Sequence, residues 1–255
     1  MVRGASPCSR RRRVGRCCFA GDALAFVTMG PVGLAEELLL LGYDDESGKA
    51  TGSRIGLDLG MAAAVLVELA LAGKLLYSGG NIVVTDATPT GRPIVDEVLA
   101  RVSADTPHTP ASWVQRLRHG LRDRVLADLC DRGVIRDVDE TTMDFIHLHR
   151  YPTVDPTVEG AIRARLHQAL TSDDQPDERT AALATLLVAV RMEPTLGLTD
   201  AGEIQAAHRR LEQIGGGAGF TGAVSMEEST VRPSVALVIA TLVRAVQTAL
   251  GTPRA

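Results

Sequence analysis

The sequence is poor in aromatic residues and almost devoid of lysine. Aromatic side chains make up 3% of the 255 residues, and Lys49 and Lys74 are the only lysines. Because 45% of the chain is nevertheless hydrophobic, its core must be built from Leu, Val, Ala and Ile. Such a core suits packed helices better than a β-sandwich, whose strands draw on aromatic and β-branched residues. The composition therefore favours a mainly α-helical protein.

A cysteine framework, a bilayer-spanning segment and the common enzyme motifs are also missing. The four cysteines include no Cys-x-x-Cys pair, which favours reduced thiols in a cytoplasm. No apolar stretch reaches the roughly 18 residues that a transmembrane helix needs. Nucleophile-elbow, P-loop, dinucleotide-binding and zinc-protease motifs do not occur in the sequence. We expect a protein without catalytic activity, cofactor or metal.

Positive charge is unevenly distributed along the chain. Residues 1–28 hold six of the 27 basic residues and one of the 31 acidic ones, which leaves 21 basic and 30 acidic residues in the remainder. A body this acidic is not expected to bind nucleic acid, and an anionic ligand would need a local basic patch. The basic segment resembles a signal peptide, but Asp22 interrupts its short apolar stretch. We therefore predict a disordered basic arm at 1–28 and a globular domain at 29–255, with Met1 and Met29 as alternative translation starts.

Hydrophobic periodicity predicts helices along most of the globular part. Leu34–Leu41 is apolar on nearly every face and ends at Gly42, while residues 56–73 are apolar on most faces. We predict that these two segments pack together at the centre of the fold. Two β-hairpins are predicted, one turning at Gly79–Gly80 and one within 134–151. Further helices are predicted after residue 92, at 112–131, 155–170, 177–191 and 200–214, and near the C-terminal end.

The predicted helix 112–131 carries the clearest basic edge. We expect Ser112 to cap it, and Arg118 and Arg122 lie four positions apart, so their guanidinium groups could converge on one anion. His119, beside them, adds a positive charge when it is protonated. The alternative is a solvated helix whose arginines pair with nearby aspartates.

Clustered acids and histidines are the remaining candidates for chemistry. Glu36–Glu37 and the acidic stretch 44–46 are interpreted as a helix start and a solvated turn rather than as catalytic pairs. His147 and His149 share one face of a predicted strand, but no third or fourth ligand accompanies them. A structural or surface role is therefore expected for both histidines.

Four segments together resemble a known family. They are LAEELLLLGYDDESGK, LVELALAGKL, DATPTGRPIVDEVL and RDRVLADLCDRGVI, and they occur in the order and spacing of the Golgi phosphoprotein 3 family. The resemblance runs from about Leu34 to the last helix. It implies a mainly α fold, with a single globular helical domain whose central helix bundle is wrapped by amphipathic helices, plus short β-hairpins.

The resemblance also implies a function. Eukaryotic members of the family bind phosphatidylinositol 4-phosphate at the Golgi surface and bind glycosyltransferase tails and coat proteins. The implied function is a cytoplasmic, peripherally membrane-associated adaptor that binds an anionic phospholipid headgroup, with a protein partner or a homo-oligomer. The Arg-rich, Lys-poor composition is typical of a bacterial relative. The alternative is a soluble protein–protein interaction module that has kept the fold and lost the lipid site.

Residues of the lipid site follow from the same resemblance. The family's pocket tryptophan aligns with Ser53, beside Arg54, and a pocket arginine aligns with Ala62. Two basic positions of the family's long helix align with His119 and Arg122. Since only Arg122 clearly matches, Arg54 or Arg118 would have to compensate. The implied ligand-binding residues are Ser53, Arg54, Arg118, His119 and Arg122.

The family's protruding hairpin contacts the membrane and neighbouring subunits. It corresponds to about residues 134–151 of this chain. The resemblance implies these contacts for Phe145, Ile146 and Leu148.

Overall fold

The computed structural model of the protein describes residues 32–44, 47–142, 146–214 and 232–251. Within these ranges the chain is mainly α-helical, with two short antiparallel hairpins and one 3-10 turn at Glu193–Leu196. The predicted fold class is thus confirmed, whereas the predicted arm at 1–28 lies outside the described ranges. The elements are α1 (Leu34–Leu41), α2 (Arg54–Leu71), β1 (Leu75–Ser78), β2 (Asn81–Val84), α3 (Pro93–Ala104), α4 (Pro110–Leu117), α5 (Leu121–Asp131), β3 (Val138–Thr142), β4 (Ile146–Arg150), α6 (Pro156–Thr171), α7 (Glu178–Ala189), α8 (Ala201–Ile214) and α9 (Pro233–Ala249).

Helix α2 is the centre of the bundle, because most of its length has no face left for solvent. Every residue from 59 to 70 is buried, which is more than three helical turns. Helices α1, α3, α4, α5, α7 and α9 all pack against α2. All eight residues of α1 are buried as well. The prediction that the leucine run packs against the alanine-rich helix is therefore confirmed.

Three carboxylates are buried where α1 and α2 meet. Glu36, Glu37 and Glu68 are 6%, 4% and 8% exposed. Sequence reasoning correctly placed the first two at a helix start but did not anticipate their burial. Glu36 accepts a hydrogen bond from the backbone N–H of Gly33 (2.9 Å), and Glu68 accepts one from that of Leu34 (3.2 Å). The buried acids thereby cap the beginning of α1.

Arginines from four different segments neutralise these buried acids. Each is separated from the acid it contacts by at least 24 positions of sequence, so the cluster joins distant parts of the chain. The residues are Arg92 before α3, Arg132 after α5, Arg165 in α6 and Arg179 in α7. Removing one partner of a buried pair leaves an uncompensated charge, which is strongly destabilising. This ionic cluster therefore ties α1 to the surrounding helices.

One sequence prediction about helices was wrong: residues 112–131 form two helices and not one. Gly120 has a left-handed backbone (φ 73°) and separates α4 from α5. The cap of α4 is Thr109, whose hydroxyl accepts a hydrogen bond from the N–H of Ser112 (3.3 Å). The large apolar residues of the predicted helix are nevertheless buried in the core, because the break lies between two of them, Leu117 and Leu121. Arg118 consequently lies in the connecting turn, and the spacing argument for Arg118 and Arg122 does not apply.

The other predicted elements are confirmed. Hairpin β1–β2 turns at Gly79 and Gly80, both with positive φ, and pairs Ser78 with Asn81. Hairpin β3–β4 pairs Val138 with Arg150. Helices α3, α6, α7, α8 and α9 lie where the periodicity placed them. Of the acidic turn 44–46, Asp44 is exposed and the other two residues lie outside the described ranges.

Hairpin β1–β2 is followed by a turn that depends on one carboxylate. Asp86 lies 2.6 Å from the Nζ of Lys74 and accepts a hydrogen bond from the N–H of Thr88 (2.8 Å). The hydrogen bond from Lys74, helped by Thr88, lowers the pKa of Asp86 to about 2. A carboxyl whose pKa is lower in the folded state stabilises that state above its unfolded pKa of about 3.9 and loses this effect as pH falls.

We therefore expect Asp86→Asn to lower the thermal midpoint at neutral pH. The difference from wild type should persist down to about pH 4, narrow as the pH falls through about 2, and close below that pH, where Asp86 is protonated in both states. Melting curves of both proteins across this pH range provide the measurement. A difference that stays constant at every pH would show that Asp86 acts through its shape and not its charge.

Candidate anion-binding site

The sequence-predicted basic residues meet where the start of α2 faces the turn between α4 and α5. Ser53 is the N-cap of α2, and its hydroxyl accepts a hydrogen bond from the N–H of Gly56 (3.1 Å). Arg54 is exposed on the first turn of α2. Arg118 is half-buried in the α4–α5 turn, and His119 is exposed beside it. Arg122, in the first turn of α5, completes this side of the site.

Arg122 is already paired inside the protein. Its Nη1 lies 2.9 Å from Oδ1 of Asp58, and the two side chains are 16% and 22% exposed. Neither atom makes a hydrogen bond of good geometry, and the Nε of Arg122 is also buried without a partner. The two charges are therefore close enough to form an ion pair, but donor atoms of Arg122 and an acceptor atom of Asp58 remain without a hydrogen bond.

Asp58 is the electrostatic centre of the site. Burial raises the pKa of its carboxyl above the usual range, and the guanidinium groups of Arg122, Arg54 and Arg118 oppose this shift without cancelling it. Arg122 contacts this carboxyl directly, whereas Arg54 and Arg118 act on it only through their charge, from beyond ion-pair distance. Asp123 on α5 contributes negative charge from the exposed side. The charges at the site, three positive and two negative, leave a positive balance.

Tyr43 connects this site to the base of the β3–β4 hairpin. Burial raises the pKa of its phenol, with Arg122 and Arg54 acting in the opposite direction. Its ring meets the ring of Tyr151 edge-on, with centroids 5.7 Å apart. The loop after α1 also lies against the hairpin base, since a Cβ on Gly48 would be only 2.6 Å from the backbone nitrogen of Tyr151. The site, the loop after α1 and the hairpin base therefore form adjoining parts of the protein.

Unpaired cations and an exposed apolar side chain lie at the rim. Arg54 and Arg118 form no ion pair with any residue in the described ranges. Ile55, next to Arg54, is 57% exposed, the largest value among the exposed large hydrophobic residues of the described chain. Free guanidinium groups beside an exposed aliphatic chain suit an anion attached to an apolar body.

Neither Ala62 nor the predicted hairpin residues add a described side chain to this site. Ala62 is completely buried in the core, so the position aligned with a pocket arginine cannot line a site. Phe145 lies outside the described residues. For Ile146 and Leu148 the structure describes the strand β4 but not the side chains, so their predicted membrane contact stays a prediction.

Asp58 and Tyr43 were missed by sequence reasoning. A local signal for Asp58 was within reach, since it follows Arg54 by four positions, but the predicted helix began at residue 56 and left Arg54 off that face, whereas α2 begins at Arg54. Tyr43 carried no such signal, because its contact with the site depends on how the loop after α1 folds back. Both residues change the expected site from a set of free cations to a partly neutralised one.

A separate open cavity of about 510 Å³ lies between α6 and α8. None of the sequence-predicted site residues lines it, and its rim mixes acids with bases, so it does not favour a ligand of one charge. Its polar lining residues are His167, Thr171, Ser172, Asp173, Glu203, Arg209, Arg210 and Gln213.

Two kinds of feature are missing from the part of the chain that the structure describes. No group of three or more His, Cys, Asp or Glu side chains there is placed to hold a metal ion. No helix in these ranges has the length and hydropathy that a bilayer span requires.

Comparison with known proteins agrees with the resemblance seen in the sequence. The sequence model of the Golgi phosphoprotein 3 (GPP34) family matches residues 34–242. Vacuolar protein sorting-associated protein 74 from Eremothecium gossypii is 24% identical over 161 residues, which cover 54% of this chain and 48% of that protein. The chain thus spans about half the length of this curated relative. Because the family model covers most of the sequence, the chain belongs to the Golgi phosphoprotein 3 family.

Proposed function

We propose that the protein is a peripheral membrane adaptor that binds a phosphatidylinositol 4-phosphate-like headgroup and catalyses no reaction. The observation that carries this proposal is a basic edge around Asp58: Arg122 contacts its carboxyl, Arg54 and Arg118 act on it through their charge, and Ile55 beside Arg54 is exposed. A phosphate at this point would accept charge-assisted hydrogen bonds from guanidinium forks, whose planar geometry matches its oxygens. His119, when protonated, would add to the positive rim.

The strength of such binding fits a reversible membrane contact. Each hydrogen bond to a charged group contributes about 1.5–3 kcal/mol. Inserting an aliphatic side chain such as Ile55 adds at most about 3 kcal/mol. The predicted hairpin residues Phe145, Ile146 and Leu148 would extend the apolar contact. One headgroup and a few inserted side chains hold a protein at a membrane without making the attachment permanent.

Family membership supports the adaptor part of the proposal. The relative named above is, by its name, associated with vacuolar protein sorting. Carrying that role to this chain is our inference. It would place the protein in the cytoplasm, at a membrane surface, with a protein partner or a second copy of itself as the further binding partner.

A soluble protein–protein interaction module is the second candidate. Two observations favour it: Asp58 already neutralises Arg122, and Ser53 stands where the resemblance implies a pocket tryptophan. If the pair between Arg122 and Asp58 cannot open, the site would hold no phosphate. The protein would then use the surface of this fold for contact with other proteins.

Vesicle flotation separates the two candidates. We expect the full chain to float with phosphatidylcholine vesicles that contain phosphatidylinositol 4-phosphate and to remain in the bottom fraction of the gradient with phosphatidylcholine alone. Added salt should release it, because exposed charges are screened over about 10 Å at 0.1 M ionic strength. Failure to float with phosphoinositide vesicles, even at low salt, would favour the interaction module.

A further inference from the structure

We propose that Asp58 is a specificity-determining residue of this site: it occupies Arg122 in the free protein, and an anionic headgroup must displace it. This inference rests on the proposed function and adds a residue that the family resemblance does not point to. Its consequence is that a headgroup must carry a minimum negative charge to bind. Weakly charged headgroups gain too little by displacing Asp58, whereas a phosphomonoester gains enough.

The geometry places Asp58 where a phosphate would have to bind. Arg122 is the cation that the family resemblance most clearly implies for the site, and Oδ1 of Asp58 lies 2.9 Å from its Nη1. Oδ1 and both Nε and Nη1 of Arg122 are buried without a hydrogen bond of good geometry. An incoming oxygen that aligned properly with Arg122 would therefore replace an imperfect contact with a better one.

Charge decides which ligands can make this exchange. The carboxylate of Asp58 carries one negative charge, as does the phosphodiester of a lipid such as phosphatidylglycerol. Replacing one single charge by another at Arg122 gains little. A phosphomonoester carries about −1.5 to −2 at neutral pH and offers three oxygens. The charges of Arg54 and Arg118, which also act on Asp58, would favour this more highly charged ligand over a phosphodiester.

The surroundings of Asp58 make its displacement feasible. Its neighbours are Arg54 on its own helix, Arg118 in the α4–α5 turn, Arg122 and Asp123 on α5, and Tyr43 after α1. The side chain of Asp58 is 22% exposed. A carboxylate that stays hydrated on one side can turn outward when a stronger anion arrives, whereas Glu36 and Glu37 in the ionic cluster have no such exit.

Asp58→Asn removes the competing charge and nearly keeps the shape. We expect this variant to bind phosphatidylinositol 4-phosphate vesicles roughly tenfold more tightly than wild type, the size of one removed like charge at a partly screened site. It should also bind phosphatidylglycerol vesicles, which wild type should not. Asp58→Ala, equally neutral, should behave in the same way and covers the case in which one variant folds poorly. Thermal melting verifies that each protein is folded.

Glu203→Gln is the matched control. It removes one negative charge from an exposed position on α8, a helix that packs on α6 and α7. Its vesicle binding should equal that of wild type. A similar gain in this control would show that net charge alone, and not the contact with Arg122, governs binding.

The outcomes separate this inference from the function on which it rests. If wild type binds phosphoinositide vesicles and both neutral variants bind no more tightly than wild type, Asp58 is not a competitor. The inference is then overturned, while the proposed function stands. If only the neutral variants bind, Asp58 does block Arg122, and the proposed function of the natural protein is overturned. If no protein binds any vesicle, both are overturned.

Discussion

Replacing Arg179 with methionine is expected to lower the free energy of unfolding by about 3 kcal/mol, the lower end of the cost of breaking a buried ion pair. Arg179 contacts Glu37 (3.2 Å) and Glu68 (3.3 Å), and it donates a hydrogen bond to the backbone oxygen of Val32. Its loss would leave two almost fully buried carboxylates with fewer positive charges. Arg92 and Arg165 remain beside them, which is why the larger values for a completely isolated charge are not expected.

Thermal or urea unfolding measures this loss. For a domain of this size, about 3 kcal/mol corresponds to a decrease in thermal midpoint of roughly 6–12 °C. The control is Arg101→Met, which removes an exposed arginine of α3 and should change the stability by less than about 0.5 kcal/mol. If both substitutions had the same small effect, the ionic cluster would not be a stabilising centre of the fold.

Truncating Trp113 to alanine should lower the free energy of unfolding by about 3–5 kcal/mol, because a large side chain leaves a cavity that the core fills only partly. Trp113 is the only tryptophan and is completely buried. Its ring contacts the ring of His108, with centroids 5.3 Å apart, and lies under the guanidinium of Arg116. Helix α4, which carries it, packs against both α2 and α9.

Trp113→Phe distinguishes ring packing from the polar part of indole. The Nε1 of Trp113 makes no hydrogen bond within the described structure, so phenylalanine keeps the aromatic contacts and loses no polar partner. We expect a clearly smaller loss of stability for this variant, measured by circular dichroism on melting. Equal losses for phenylalanine and alanine would mean that the shape of the indole, and not buried apolar area, is what the site requires.

The sequence sufficed for elements whose pattern is local. Helices α1 and α2 were predictable because neither has a polar face, and the β1–β2 turn because two adjacent glycines leave little alternative. The break at Gly120 was not predictable, since the apolar repeat continues across it. Gly120 alone has a left-handed backbone between the two helices. A glycine inside a helical pattern is compatible with either outcome.

Charge pairing was harder to predict for a different reason. Glu37 and Arg179 are separated by 142 positions, and nothing near either residue indicates the other. Two glutamates at a helix start also have an ordinary exposed interpretation. The position of Asp58 was within reach, because its spacing from Arg54 is local. Its pairing with Arg122 depends on the packing of α2 against α5 and could not be read from spacing.

The most direct test of the proposed site compares two arginines on α5. Arg122 pairs with Asp58 of α2, and Arg124 pairs with Glu97 of α3, so both are ion-paired residues of one helix. Binding of wild type, Arg122→Ala and Arg124→Ala to vesicles with and without phosphatidylinositol 4-phosphate is the measurement, with melting curves as a control for folding. Arg122→Ala should weaken phosphoinositide-dependent binding by about 1.5–3 kcal/mol, roughly tenfold or more, and Arg124→Ala should leave it unchanged. Equal binding by wild type and Arg122→Ala would contradict the assignment of this site to a phosphorylated headgroup.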